Sequence, residues 1–564
     1  MRGGQRLDFG AFPWYNTVNY GELAFANVKH SFGGVMTDRR FLDLIVYQIY
    51  PRSFCDGNGD GIGDIKGITE KLDHLCSLGI NAVWLSPCYK SPNCDNGYDI
   101  SDYRDIMDEF GTLDDWKTML SEMHKRGIKL IMDFVANHTS SEHEWFKRAR
   151  SSRNDRYHDY YIWRDKIPND WRSVFGGSAW EYNEATDEYY LHSFAVGQPD
   201  LNWENPAVRK EMADVIDYWV DLGVDGFRCD VLDFIAKDFD NGLMNNGPMF
   251  HEYVRELFGR EKVKHIFTVG ECSMGEDKIS DICGADRDEL KCIFQFDHFA
   301  LGKTFDKFEK APYSIDDVRN VLVKWQMFTE SRDLLYTLFT DNHDNAHYIS
   351  RLGNDGEYRY ECATMYAAMF YMLKGIPFVY QGQEYGSPDP YYGDIGSFDD
   401  VETFNYYNAN KDKHSHDELM RMINFGSRDN VRRPMCWNNG KNFGFGWGDK
   451  TWIPLHSRGA EVNLENDVKS DRSVFAFYKD IFKLRSASPV VRYGAFKDLT
   501  VGDGYFAYAR TLGDEDVLVV CNFGESRVIN GLPQYDFVLG NHGKARKPDG
   551  MYSPYETAIF VKRK

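Results

Sequence analysis

Short apolar runs recur along the chain from residue 41 onward, separated by stretches patterned with a helical period. The runs are LIVYQIY (44–50), NAVWLS (81–86), KLIMDFV (129–135), GFRCDV (226–231), HIFTVGE (265–271), CIFQFD (292–297), LYTLFTD (335–341) and PFVYQG (377–382). Each is almost continuously apolar, as strands buried on both faces of a parallel sheet must be. Between them, 113–126, 206–222, 315–328 and 359–374 read as amphipathic helices. Thr112 and Asn205 stand where N-caps belong, Pro206 takes a first helical position, and Gly375 ends the last stretch. Eight strand–helix units predict an α/β fold closed into a (β/α)8 TIM barrel. An open doubly wound sheet also suits the alternation, but no GxGxxG follows the first strand.

Two departures from the alternation divide the chain further. Residues 139–204, rich in Trp, Tyr, Asp and Arg, are too long for one connection and predict a subdomain inserted after the third strand. After residue 487 the helical pattern stops, and GYFAYARTLGDEDVLVVCNFG and ETAIFVKRK predict a C-terminal antiparallel β-sandwich over 488–564. The barrel then occupies 41–138 and 205–487. Residues 1–40 form an N-terminal extension that fits neither pattern.

Composition narrows the function. The 66 Lys+Arg against 87 Asp+Glu leave a net charge of −21, which argues against nucleic acid or an anionic membrane as partner. No run approaches the roughly 20 apolar residues of a membrane span, and the first residues hold no apolar leader core. The 11 Cys are odd in number and without a CxxC pair, so a reduced, cytoplasmic protein is expected. The 13 Trp, 35 Tyr and 39 Phe suit sugar rings, although aromatics more often simply fill cores.

In a barrel, chemistry collects where strands run into their following loops. Here those points carry Asp133 to His138, Arg228-Cys229-Asp230, Glu271 and Asn342-His343-Asp344. Arg228 and Asp230, two apart on a strand, point the same way, so the guanidinium should hold that carboxylate ionised. An ionised Asp and a protonated Glu in a drier setting make the carboxylate pair of glycoside hydrolysis. His138, His343 and the acids could instead ligate a metal, but no HExxH or His-x-His spacing supports it.

The segments DFVANH (133–138), GFRCDV (226–231), GE (270–271) and NHD (342–344) resemble, in order, the four signature regions of the α-amylase family, glycoside hydrolase family 13. VYQIYPRSF (46–54), NGYDISDY (96–103), QPDLNWEN (198–205) and SRDNVRRPMCW (427–437) are similar to its oligo-1,6-glucosidase, isomaltase and dextran glucosidase branch. The resemblance implies Asp230 as nucleophile, Glu271 as general acid and base, and Asp344 as transition-state stabiliser. It implies Arg228 orienting Asp230, His138 and His343 on the same sugar, and Gln198, in the branch's QPDLN marker, as a further substrate-binding residue. Asp99 and Arg428 would grip the non-reducing end, making a retaining, exo-acting enzyme with its two carboxyls about 5–5.5 Å apart. Val231, beside the nucleophile, resembles the α-1,6-preferring members. Isomaltose, isomalto-oligosaccharides, panose or short dextrans are then the expected substrates of a cytoplasmic monomer. Within the family α-1,4-glucosidase, trehalose-6-phosphate hydrolase and sucrose isomerase are the rivals, and an inactive sugar-binding or transporter-associated relative is the rival outside catalysis.

One loop invites a cation. Asp56, Asn58, Asp60 and Asp64 bring an oxygen at nearly every second residue, with Ile62 offering its carbonyl, as in the first nine positions of an EF-hand. Gly67 stands where the closing Glu belongs, so a true EF-hand is excluded. The resembled branch holds a structural Ca2+ in this loop; Mg2+ and a bare Asn/Asp/Gly turn are the other readings. Cys272-Ser273, Gln383-Glu384 and Cys436 depart from the branch pattern and are expected to border the leaving-group side.

Overall fold

The computed structural model describes residues 39–272, 276–284, 287–304 and 306–562, so most of the 1–40 extension lies outside the described residues. The first barrel strand, β1 (Val46–Ile49), is buried throughout. It is followed by β2 (Ala82–Leu85), β3 (Lys129–Val135), β4 (Gly226–Asp230), β5 (Phe267–Gly270), β6 (Cys292–Ile293), β7 (Thr337–Leu338) and β8 (Ile376–Tyr380). These pair in parallel in the order β6-β5-β4-β3-β2-β1-β8-β7. A bridge between Ile293 and Tyr336 joins the two ends, so the sheet closes into an eight-stranded TIM barrel. β6 and β7 pair over only two residues, fewer than the apolar runs suggest. Beyond them Phe294 and Phe339 pack ring to ring at 5.2 Å, so there the apolar character reflects burial and not pairing.

Local signals set the helices. Helix α1 (Leu113–Lys125) starts on a capping box between Thr112 and Asp115. Asn205 caps α2 (Pro206–Asp221), whose Val208, Met212, Val215, Ile216 and Trp219 form the buried face at helical spacing. Ser314 and Asp317 cap α3 (Ile315–Arg332). The following α4 (Arg359–Tyr371) is buried on nearly every side. C-terminal strands cover its outer face, with Tyr508 Oη donating to the carbonyls of Ala368 and Met369.

The segment after β3 carries a three-stranded antiparallel sheet, Trp163–Arg164, Glu188–Leu191 and Trp180–Asn183, around Ile162, Ala179, Trp180 and Leu191. At the C-terminus a five-stranded antiparallel sheet and a two-stranded one enclose Leu518, Val520, Ile529, Tyr552 and Phe560. Its strands begin at Ala495, because Val474–Ala487 and Pro489–Tyr493 are still helical. No helix among the described residues is long and apolar enough to cross a membrane.

Candidate active site

Loops leaving the carboxyl ends of the barrel strands meet the inserted segment over one cavity of about 620 Å³. Asp230, Val231, Glu271, His138, His343, Asp344 and Arg428 all line it, with Val174, Phe175 and Phe194 overhanging from the insertion. Arg228 stands behind them, 2% exposed. Its Nη1 donates to Asp230 Oδ1 at 2.7 Å and to Asp133 Oδ1 at 2.8 Å, while Nη2 pairs with Glu271. Asp133 is wholly buried, and its other oxygen accepts from Trp84 Nε1 at 3.0 Å and Tyr98 Oη at 3.1 Å.

Arg228 is therefore divided among three carboxylates, which corrects the expectation that it simply keeps Asp230 ionised. Burial raises the Asp230 carboxyl well above its usual range; Glu271, Asp133 and Asp344 add to the rise and Arg228 opposes it. Burial raises Glu271 too, again against Arg228, with Asp344 and Asp133 adding. One guanidinium does not balance the three carboxylates around it, which favours a proton on one of them.

Asp344 goes the other way. Burial pushes its carboxyl up, but His343 and the guanidinium groups of Arg432, Arg428 and Arg228 outweigh that and hold it well below the usual range. Arg432 Nη2 reaches Asp344 Oδ1 at 2.8 Å and His343 Nε2 reaches Oδ2 at 3.0 Å. Burial pushes His343 down to about 3, so its ring is neutral. Gln48 Nε2 lies 2.8 Å from Nδ1, which leaves the ring proton on Nε2, facing Asp344 and Tyr98 Oη. His138 is likewise pushed down by burial, to about 4.

The far end of the cavity is closed by ions. Arg428 Nη2 meets Asp95 Oδ1 at 3.0 Å and Asp400 Oδ1 at 2.5 Å, Nε lies 3.6 Å from Glu402, and the guanidinium sits 4.9 Å over the Phe175 ring. The acid in this grip is Asp95, and the assignment of Asp99 is corrected. Asp99 is fully buried, and its oxygens accept from Ser91 Oγ, Cys94 N and Asp95 N at 2.9–3.0 Å. A left-handed turn at Asn96 and Gly97 separates the two acids, aiming Asp95 at the cavity while Asp99 ties down the loop behind it. Gln198 is also displaced from its expected place. It is buried behind the wall, its Nε2 donating at 3.1 Å towards Asp95 Oδ2 and His138 Nε2. Sequence reasoning passed over Asp95, Asp400 and Arg432; only a charged residue every few positions in 428–433 hinted at the last.

Val231 follows β4 in the left-handed region, φ 34° and ψ 45°. A β-branched residue is strained there, so strand propensity does not explain it. The turn brings its N–H 3.4 Å from Glu271 Oε2 and starts a short helical turn that places Asp233 in the cavity wall. Of the departures, Cys272 lines the cavity, whereas Gln383 bonds to Thr340, Tyr371 and Tyr478, Glu384 to Tyr47 and His74, and Cys436 lies in the core. Gln383, Glu384 and Cys436 therefore do not border the leaving-group side.

The loop 56–64 contributes no residue to the lining of this cavity and is held largely by hydrogen bonds of its own side chains. Asp56 accepts from the amides of Asn58, Gly59 and Gly61, Asp60 from Ile62, and Asp64 from Gly57, Asn58 and Gly67. Among the described residues no three His, Cys, Asp or Glu side chains gather at metal-binding distances.

Residues 48–494 match the alpha-amylase catalytic-domain family. An oligo-1,6-glucosidase of Parageobacillus thermoglucosidasius is 46% identical over 519 residues, 87% of this chain and 92% of that protein. A glucan 1,6-alpha-glucosidase of Streptococcus pneumoniae is 40% identical over 497 residues, 86% of this chain and 92% of that protein. The crystal structure of a Bacillus licheniformis trehalose-6-phosphate hydrolase aligns with a TM-score of 0.88 at 37% identity, over 93% of this chain and 100% of that one.

Proposed function

The chain belongs to the α-amylase family and is a glycoside hydrolase, and from that premise we propose that it is a retaining, exo-acting α-glucosidase for α-1,6 bonds at the non-reducing end of isomaltose, isomalto-oligosaccharides, panose or short dextrans. The observation that carries this reading is the pairing of Asp230 and Glu271 on one buried guanidinium at the bottom of a cavity sealed by Asp95 and Arg428. A sealed end admits one terminal sugar. Asp230 attacks its anomeric carbon while Glu271 gives its proton to the departing glycosidic oxygen, leaving a covalent glucosyl-enzyme. Glu271 then takes a proton from water, the oxygen attacks the same carbon, and Asp230 leaves. Asp344, held ionised, and the two neutral histidines hold the hydroxyls of that sugar.

The α-1,6 preference is supported by Val231 in the cavity wall and by the two 1,6-cleaving relatives. A phosphorylated acceptor is disfavoured by charge: Asp233, Asp297 and Glu402 join the catalytic acids in the lining, and Lys307, its lysine, is already paired with Glu402. The free cysteines suit a reducing cytoplasm. For the loop 56–64 we propose a structural Ca2+. Its support is the donor chemistry: an all-oxygen set of hard ligands, in which Asp56 Oδ2, both oxygens of Asp60 and Asp64 Oδ1 each accept a single hydrogen bond and keep a lone pair. Asp56, Asn58, Asp60, Ile62 and Asp64 would hold the ion, which would fix the loop.

Initial rates on isomaltose, maltose, trehalose-6-phosphate and sucrose, side by side, test the reading. Isomaltose should lead. Maltose or trehalose-6-phosphate turned over far faster would overturn the specificity, and no turnover of any would overturn the activity.

A further inference from the structure

His138 lines the cavity with an imidazole that two different hydrogen-bond networks could hold. Its Nε2 lies 3.2 Å from the Tyr98 carbonyl, an acceptor, and 3.1 Å from the Gln198 side-chain amide, a donor. Gln198 is fixed with its oxygen on the Ala195 N–H, so its nitrogen faces the ring. Either tautomer therefore has a partner at Nε2, and the choice falls to Nδ1. Nδ1 meets the Asn137 side chain at 3.1 Å. The Asn137 amide could present its nitrogen or its oxygen, and the two ends demand opposite tautomers.

Charge makes that choice. Lys237 Nζ donates to Asn137 Oδ1 at 2.8 Å, and Asn137 Nδ2 lies 3.2 Å from Asp200 Oδ1. Lys237 and Asp200 are themselves paired at 2.9 Å, their side chains 4% and 0% exposed. A flipped amide would set its oxygen against Asp200 and its nitrogen against Lys237, two repulsions in a dry setting. With the nitrogen thus fixed on Nδ1, the ring proton must sit on Nε2. We propose that the buried Lys237–Asp200 ion pair locks the Asn137 amide and thereby sets the tautomer of His138, making Lys237 a positioning residue for the sugar-binding ring. The inference rests on the reading of His138 as a group that touches the sugar.

Long-range 15N–1H spectra of the full-length chain labelled at histidine nitrogens report the tautomer directly, with the His138 signals assigned by their loss in His138→Gln. The wild type should show protonated Nε2. Lys237→Met should bring Nδ1–H into the mixture or reverse the ratio, and Lys237→Arg, which keeps the charge, should not. Because Lys237→Met leaves Asp200 buried and unpaired, the double variant Lys237→Met/Asp200→Asn provides a form without that charge, and it should show the same change. In Lys237→Met and the double variant kcat/KM on isomaltose should fall about tenfold, chiefly through KM, while Lys237→Arg keeps it, and the unfolding midpoint of the double variant should lie near that of wild type. An unchanged Nε2–H tautomer in the folded double variant would overturn the lock. A tautomer change in an enzyme that cleaves no glucoside would support the lock and overturn the assignment of activity instead.

Discussion

Replacing Arg228 with methionine removes the cation on which the site is built while nearly preserving its volume. Arg228 meets Asp230 at 2.7 Å and Asp133 at 2.8 Å, and it also pairs with Glu271. At an effective dielectric of about 20, one such attraction at about 4 Å is worth ~4 kcal/mol before desolvation is counted. Burying the guanidinium offsets much of that. What remains on removing one partner of a buried pair is about 3–5 kcal/mol, because the carboxylates stay behind. The loss must depend on pH. Burial already raises the Asp230 and Glu271 carboxyls in the folded protein, and without Arg228 they rise further. The folded variant then binds more protons than its unfolded chain. Its stability falls as pH climbs from the unfolded carboxylate value of about 4 through the raised folded values. The penalty should be small near pH 5 and reach its full size near pH 8. Urea unfolding of wild type and Arg228→Met at both pH values measures it. An equal loss at the two, or one under about 1 kcal/mol near pH 8, would refute the shared-cation account.

The remaining expectations concern activity and the loop. Glu271→Gln should lower isomaltose turnover by about 10²–10⁴-fold yet spare glucosylation from a nitrophenyl glucoside, whose leaving group needs no acid; equal losses in pre-steady-state rates would remove Glu271 from that role. The pH profile of kcat/KM should be a bell whose limbs both lie above the ordinary carboxylate range, since activity falls when Asp230 gains a proton and when Glu271 loses one. A maximum near about pH 4 would contradict it. Asp95→Ala should raise KM with little change in unfolding temperature. Asp99→Ala should instead cost about 1–3 kcal/mol by stranding the amides of Cys94 and Asp95, and exchanged phenotypes would restore Asp99 to the grip. Elemental analysis after dialysis should find about one Ca2+ per chain, and its absence from folded protein would remove the ion from loop 56–64.

The barrel was legible because a strand buried on both faces writes itself as an unbroken apolar run, and because Thr112, Asn205 and Pro206 mark helix starts with local chemistry. The strand-end acids were legible for the same reason: their positions follow from where the runs stop. What could not be read was direction after a turn. Asp95 and Asp99 are four residues apart on either side of the same Gly-Tyr pair, and only the left-handed backbone at Asn96 and Gly97 decides which one faces the sugar. Long-range partners were hidden too. Asp400 and Arg432 complete the ion cluster with residues more than 80 positions away in some cases, a distance at which no local pattern speaks: Arg432 to Asp344 spans 88 positions. Nor could composition show that Asp133 competes with Asp230 for one guanidinium, since that depends on β3 and β4 lying side by side in register, Asp133 opposite Arg228.

On the α-1,6 role proposed for Val231, stability and substrate choice have opposing interests at this position. With φ at 34° it occupies a conformation that costs a branched side chain on the order of 1–3 kcal/mol and that glycine or asparagine would adopt with ease. A library screened only for survival of heating should therefore enrich Gly or Asn at position 231, while one screened for growth on α-1,6-linked sugars should retain the valine. Laboratory evolution towards a hardier enzyme would erode its selectivity at this residue first, unless both pressures are applied together.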